Sequence, residues 1–124
     1  MQFANFDLTD SSAATVTFTA MTNEGLLCTW KDKSAVLPSL RPVVTCGMRK
    51  AKGSTPRKVT VKVILPYTHT VDSVEYKGET SAFIDFIVPE TADATDVADL
   101  LAFVGGAISE GQLSAAIKDG EFPA

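Results

Sequence analysis

Val43-Val44-Thr45-Cys46-Gly47-Met48-Arg49-Lys50 is followed, after the connection Ala51-Lys52-Gly53-Ser54-Thr55-Pro56, by Arg57-Lys58-Val59-Thr60-Val61-Lys62-Val63-Ile64-Leu65-Pro66. Successive side chains on a strand alternate between the two faces of its sheet. In the first run Val44, Cys46 and Met48 therefore share one face, and Val43, Thr45, Gly47 and Arg49 share the other. In the second run Val59, Val61, Val63 and Leu65 form an apolar face, with Lys58, Thr60, Lys62 and Ile64 opposite. The connection is rich in turn residues, so the two runs read as neighbouring antiparallel strands. One face of this sheet is core; the other is basic and hydroxylated.

Working outward, Pro66 reads as the end of the second strand, and Tyr67 to Gly78 as a long polar loop containing His69. A third alternating run follows from Ser81 to Val88, with Ala82, Ile84, Phe86 and Val88 on the core face and Ser81, Phe83 and Asp85 opposite. Upstream, Phe3 to Leu8 and Thr15 to Ala20 flank Thr9-Asp10-Ser11-Ser12 and predict an N-terminal hairpin. Gly25 introduces a short run over Leu26 to Trp30, and Lys31 to Ser34 reads as a turn.

After Pro89 the period changes to that of a helix. Val97, Leu100, Leu101, Val104 and Ile108 form an apolar stripe, and Asp93 or Thr95 is placed to cap its start. Gly105-Gly106 weakens this helix at its end. Ser109-x-x-Gln112 resembles a capping box opening a second helix through Leu113, Ala116 and Ile117, with Gly120 as terminator. Six or seven strands followed by two helices predict an α+β fold in a single domain over residues 1–124. A domain this small buries about two thirds of its extended-chain surface, so oligomerisation is expected to cover what remains.

The net charge of −4 argues, as an average, against a nucleic-acid partner. The distribution argues otherwise. Seven of the eleven basic residues lie between Arg41 and Lys62 with no acid among them, whereas eleven acids follow from Asp72 onward against Lys77 and Lys118. That asymmetry fits a polyanion on one side and solvent on the other, although basic hairpins and acidic helix starts also serve solubility alone. No apolar stretch approaches a membrane span and the N-terminus has no signal-peptide pattern, so no membrane partner is expected and the chain should stay in the cytoplasm.

Catalytic and metal chemistry find little support. Cys28, Cys46 and His69 fit no usual zinc spacing, and a thiol triad of either cysteine with His69 and Asp72 has nothing to make it converge. The cysteines read as small buried apolar residues rather than a disulfide. Asp93, Asp96 and Asp99 suit the helix dipole better than a cation. No phosphate-binding glycine loop is present, and no cofactor or enzyme activity is expected. The basic sheet face is different. Arg49, Lys58 and Lys62 stand with the hydroxyls of Thr45 and Thr60, and Phe83 offers a ring that either stacks a splayed base or simply packs on a neighbouring strand or the Lys62 methylenes.

At these residues the chain resembles the coat proteins of single-stranded RNA bacteriophages, the levivirus type. The resemblance is carried by Val44-Thr45-Cys46-Gly47-Met48-Arg49, by Arg57 through Pro66, and by Ile87-Val88-Pro89 ahead of Asp99-Leu100-Leu101-Ala102-Phe103-Val104. It covers essentially the whole chain. It implies an N-terminal β-hairpin, a five-stranded antiparallel sheet and two C-terminal helices, in an intertwined dimer whose sheets join into a ten-stranded surface. The stripe Val97, Leu100, Leu101, Val104 and Ile108 then belongs to the dimer interface.

The resemblance further implies a structural capsid protein whose homodimers form an icosahedral shell around single-stranded RNA, assembled in the cytoplasm of a bacterial host and found in the virion. The basic face turns inward and binds a genomic stem-loop, repressing translation and marking the genome for packaging. The matching positions are Thr45, Gly47 and Arg49 on one strand and Lys58, Thr60 and Lys62 on the next, with Ser81, Phe83 and Asp85 on the third completing the candidate RNA face. The chain departs from the family at Gly47, where members often carry a small hydroxylated residue, and at Ser81 and Phe83, where well-known members carry an aromatic and then a polar residue. The loop over Tyr67 to Gly78 corresponds to the one lining the family's symmetry axes, and without cysteine it is expected to form no inter-subunit disulfide. The rival expectation is a non-viral dimeric RNA-binding module that forms no shell.

Overall fold

The computed structural model describes residues 3–34, 37–49 and 56–122, so the turn expected over 51–55 lies outside the described residues. The chain divides into two compact units, Met1–Ile87 and Val88–Ala124. Strands β1 (Phe6–Thr9), β2 (Thr15–Glu24), β3 (Leu27–Lys31), β4 (Val43–Arg49), β5 (Arg57–Val71) and β6 (Val74–Val88) form one sheet in sequence order. The expected separation of a hairpin from a five-stranded sheet gives way to six connected strands. The reason is the length of β2: Thr15–Phe18 pair with β1, Thr19–Glu24 pair with β3, and Met21 is skipped in the register as a bulge.

The N-terminal hairpin forms as expected. The Asp10 carboxylate accepts bonds from the backbone N–H groups of Ser12 and Ala14 at 2.9 and 3.0 Å, fixing the turn. Phe6 then stands opposite Phe18 with ring centroids 5.6 Å apart. Trp30 lies 5.1 Å from the Phe6 ring and 5.3 Å from Phe3, and its indole N–H donates to the Ala4 carbonyl at 2.9 Å. This aromatic group holds the N-terminus to the sheet around buried Phe18.

The expected loop over Tyr67 to Gly78 is instead the outer half of a long hairpin. β5 continues through Pro66 to Val71, and β6 returns from Val74. Its turn residues Asp72 and Ser73 both have positive φ, 49° and 65°, which is the signature of a two-residue type I′ turn. Such a turn closes on a hydrogen-bonded Val71–Val74 pair, so alternation directs the Pro66 nitrogen away from β6. On that other side β4 already starts at Val43, opposite Ile64. No ladder bond is lost, and the proline is tolerated. His69 is thus a strand residue, its ring 5.9 Å from Tyr67 and 5.6 Å from Tyr76. The Tyr67 ring covers the space beside Gly78 so closely that a Cβ there would meet it at 2.5 Å.

In the second unit, helix α1 (Ala94–Ser109) starts at the expected cap, Asp93. Its carboxylate accepts from the Asp96 N–H at 2.9 Å while the Asp96 carboxylate accepts from the Asp93 N–H at 3.3 Å. The helix runs through Gly105-Gly106, and the Ser109 hydroxyl donates to both glycine carbonyls. Helix α2 (Gly111–Asp119) is capped by Glu110 and not by Ser109, because the longer carboxylate reaches the N–H groups of both Gln112 and Leu113. Gly120 ends it at φ 71°. No residue of either helix is buried, and no single helix is long and apolar enough to cross a membrane.

Ser73 occupies a left-handed conformation without being glycine, at a cost of about 1–2 kcal/mol for an ordinary residue. Ser73→Gly is therefore expected to raise stability by about 0.5–1 kcal/mol after the added chain entropy of glycine. The urea midpoint checks this; a lower midpoint would contradict the turn assignment.

Candidate nucleic-acid interface

Pairing places the basic residues side by side. Leu27, Gly47 and Thr60 form one cross-strand row over β3, β4 and β5, and Thr29, Thr45 and Lys62 form the next. Arg49 lies opposite Lys58. β6 extends these rows: Asp85 meets Thr60, and Phe83 lies under Lys62. Ser81, two residues before Phe83, shares its face. All nine residues expected on the polar side are on one side of the sheet. Leu27 and Thr29 join them, which sequence reasoning missed because Leu26 to Trp30 has little contrast between its alternate positions.

A shallow depression of about 370 Å³ lies on this face, lined by Thr45, Gly47, Arg49, Lys58, Thr60 and Lys62 together with Leu27 and, at its margin, Met48. A Cβ added at Gly47 would stand 3.5 Å from Leu27 Cδ1, an ordinary contact. The glycine therefore widens the depression without being required by packing.

The charges on this face are not equivalent. Lys58 Nζ lies 3.7 Å from the Asp85 carboxylate, which also accepts a 2.6 Å hydrogen bond from the Thr60 hydroxyl. The Thr60 bond, followed by the charges of Lys58 and Lys62, holds the Asp85 carboxyl below the ordinary carboxylate range. Arg49 and Lys62 make no ion pair among the described residues, and the Lys62 ammonium sits 5.5 Å from the centroid of the Phe83 ring. That ring is 63% exposed. The face therefore offers two unpaired cations for phosphate oxygens, hydroxyls for sugar or base edges, and an open aromatic ring for stacking.

The other chemistries weighed from sequence do not assemble. Cys28 and Cys46 face each other across β3 and β4, whereas His69 is eight residues, roughly 26 Å of strand, beyond the β5 partner of Cys46, Val61. No group of three or more His, Cys, Asp or Glu side chains converges as a metal site among the described residues. Along the helix stripe, Val97 and Val104 are half-buried while Leu100, Leu101 and Ile108 are exposed.

A depressed carboxyl pKa means that the Asp85 contacts persist above the ordinary carboxylate range and are lost as pH falls through the lowered value. Thr60→Val removes the leading cause and is expected to move the Asp85 titration upward while the sheet persists. Carboxyl-carbon NMR titration checks this; an unmoved midpoint would assign the effect to Lys58 instead.

The levivirus coat protein model matches residues 1–121. Over 100% of both chains, the fold superposes on the virus-like particle of bacteriophage AVE019 with a TM-score of 0.92 at 20% identity. The capsid protein of bacteriophage GA matches with a TM-score of 0.73 at 25% identity, over 98% of each chain. An unassembled bacteriophage coat protein dimer, described as RNA-binding, matches with the same TM-score, identity and coverage. No curated protein matches the chain. With its family model spanning nearly its full length and capsid proteins sharing its fold, the chain belongs to the levivirus coat proteins and is a structural capsid protein, not an enzyme.

Proposed function

We propose that this chain, acting as one coat-protein domain, forms homodimers that assemble in the cytoplasm of a bacterial host into an icosahedral shell around single-stranded RNA. The cationic sheet face turns inward. Arg49, Lys58 and Lys62 contact phosphates, and Thr45, Thr60, Ser81, Phe83 and Asp85 surround a base of a genomic stem-loop, with Gly47 leaving room for it. Binding at the replicase start then represses translation and selects the genome for packaging. The observation that carries the RNA reading is that Arg49 and Lys62, which make no ion pair among the described residues, share one sheet face with an exposed Phe83 ring lying beside Lys62. A relative of like fold described as an RNA-binding dimer supports it.

Dimerisation is supported by what a single chain leaves uncovered. β6 ends the strand order with a free edge, and Leu101 and Ile108 are 55% and 52% exposed on α1. Joining two copies at β6 makes β2 through β6 of each into a continuous ten-stranded surface. Val97, Leu100, Leu101, Val104 and Ile108 then bury against the partner, each Å² of apolar area contributing about 25 cal/mol.

Expression of the chain alone in bacteria tests the reading, with negative-stain electron microscopy and absorbance at 260 and 280 nm on one size-exclusion fraction. Uniform icosahedral particles rich in RNA are expected; RNA-bound dimers that never close into shells would favour a non-viral RNA-binding module. Lys62→Glu should weaken RNA binding and, if one phosphate contact is lost, reduce the slope of log affinity against log salt by about 1, leaving dimers intact. Leu101→Asp should abolish dimers in sedimentation. Unfolding by Lys62→Glu with RNA affinity spared would reverse the face assignment.

A further inference from the structure

The opposite face of the same sheet carries a second constellation that RNA binding does not use. Cys28 and Cys46 are direct partners across β3 and β4, and Met48, two residues beyond Cys46, lies on the same face. All three residues line one cavity of about 310 Å³, together with Trp30, Phe3 and Leu26. Both thiols are free and half-buried. We infer that Cys28, Cys46 and Met48 form a binding site for a soft d10 cation of the copper(I) class.

The backbone argues for a bridging ion over a disulfide. Met48 N–H donates to the Leu26 carbonyl and Asp32 N–H to the Pro42 carbonyl, each pair directly opposite across the two strands. Alternation makes Cys28–Cys46 a hydrogen-bonded pair as well, with Cα atoms about 5.5 Å apart and Cβ atoms toward the wide end of about 4.5–5.5 Å. A disulfide needs its Cβ atoms at about 3.5–4.5 Å. Closing that gap would distort the ladder, whereas an ion held by two metal–thiolate bonds of about 2.3 Å each spans it without moving the strands.

The ligand set selects the ion. Thiolate and thioether sulfur prefer soft cations, and the cavity wall holds no carboxylate for calcium or magnesium. Its one side-chain amide, Asn23, accepts from the Cys28 thiol at 3.5 Å. Burial, and then the neighbouring Cys28, raise the pKa of the Cys46 thiol above the ordinary thiol value. On binding, each thiol releases one proton to solvent and its sulfur donates a lone pair to the ion. No electron is transferred, and the ion keeps its oxidation state.

Silver(I), a redox-inert stand-in for copper(I), tests the site on the full-length assembled protein in buffer free of added thiols. Native mass spectrometry should show one silver ion per chain, and thermal unfolding should move upward by several degrees as the ion binds the folded state. Cys28→Ser and Cys46→Ser should each lose both the ion and the shift at the same silver concentration. Cys28→Ala and Cys46→Ala, with circular dichroism of the metal-free proteins, separate loss of ligand from loss of fold. Met48→Leu should keep the one-ion stoichiometry with weaker binding. Two ions per chain, a thermal shift that survives in either single-cysteine variant, or no silver on the folded native chain would each overturn the site.

Discussion

A side chain on a strand belongs to one face of its sheet, and a one-residue slip in register moves every side chain to the other. The rest of this structure depends on that constraint in β4, β5 and β6. With the observed pairing, Arg49, Lys58 and Lys62 gather beside Thr45 and Thr60, while Val44, Cys46, Val61 and Val63 gather behind them. The Asp72–Ser73 turn holds the β5–β6 half of this register, since a two-residue connection leaves no slack for sliding. The Lys62–Phe83 and Thr60–Asp85 contacts lie at equal distances from that turn along both strands, as a regular hairpin requires.

The same constraint shows how a chain with a net charge of −4 can present a cationic surface. Charge on a sheet face is set by alternation over a few strands, and the acids concentrate elsewhere in the sequence. Asp85 is the exception, standing within the cationic face and drawing on Lys58 and Thr60. It leaves the local field to Arg49 and Lys62, on the two strands that flank the depression. A polyanion arriving there would meet two cations that make no ion pair among the described residues and one already engaged. In the proposed RNA complex a phosphate near Lys58 would compete with the Asp85 carboxylate, which a base edge can instead use as an acceptor.

Much of this was legible in the sequence because a period of two survives any ignorance of tertiary structure. The faces of Thr45, Lys58 and Phe83 needed only counting, and the Asp93 cap needed only its position before an apolar helical stripe. Pro66 was misread because proline breaks a ladder only on the side where its N–H would have bonded, and that side depends on where β4 begins. The loss of that strand concealed the hairpin and made His69 a loop residue. Glu110 as the cap of α2 was missed because Ser109 fits the more frequent pattern, while the serine hydroxyl in fact turns back to the glycine carbonyls of α1. The grouping of Phe3, Phe6, Phe18 and Trp30 needs the register of three strands at once, and no local pattern announces it.

Only Phe18, Val44 and Val88 are buried apolar residues among those described, although nearly half of the chain is hydrophobic. Phe103 and Ile117 are 73% and 72% exposed. Surfaces of this kind on a small domain mark an interface that is completed by another molecule. If a second copy supplies it, as the proposed dimer does, the apolar half of each alternating strand and each helix stripe reaches its final burial only on association. Folding and dimerisation then become one equilibrium, and stability depends on protomer concentration. Under that linkage the cationic face gains as well: two sheets joined at β6 bring two copies of Arg49 and Lys62 onto one surface, so the stem-loop proposed to bind there would meet a doubled charge without any rearrangement of the strands that carry it.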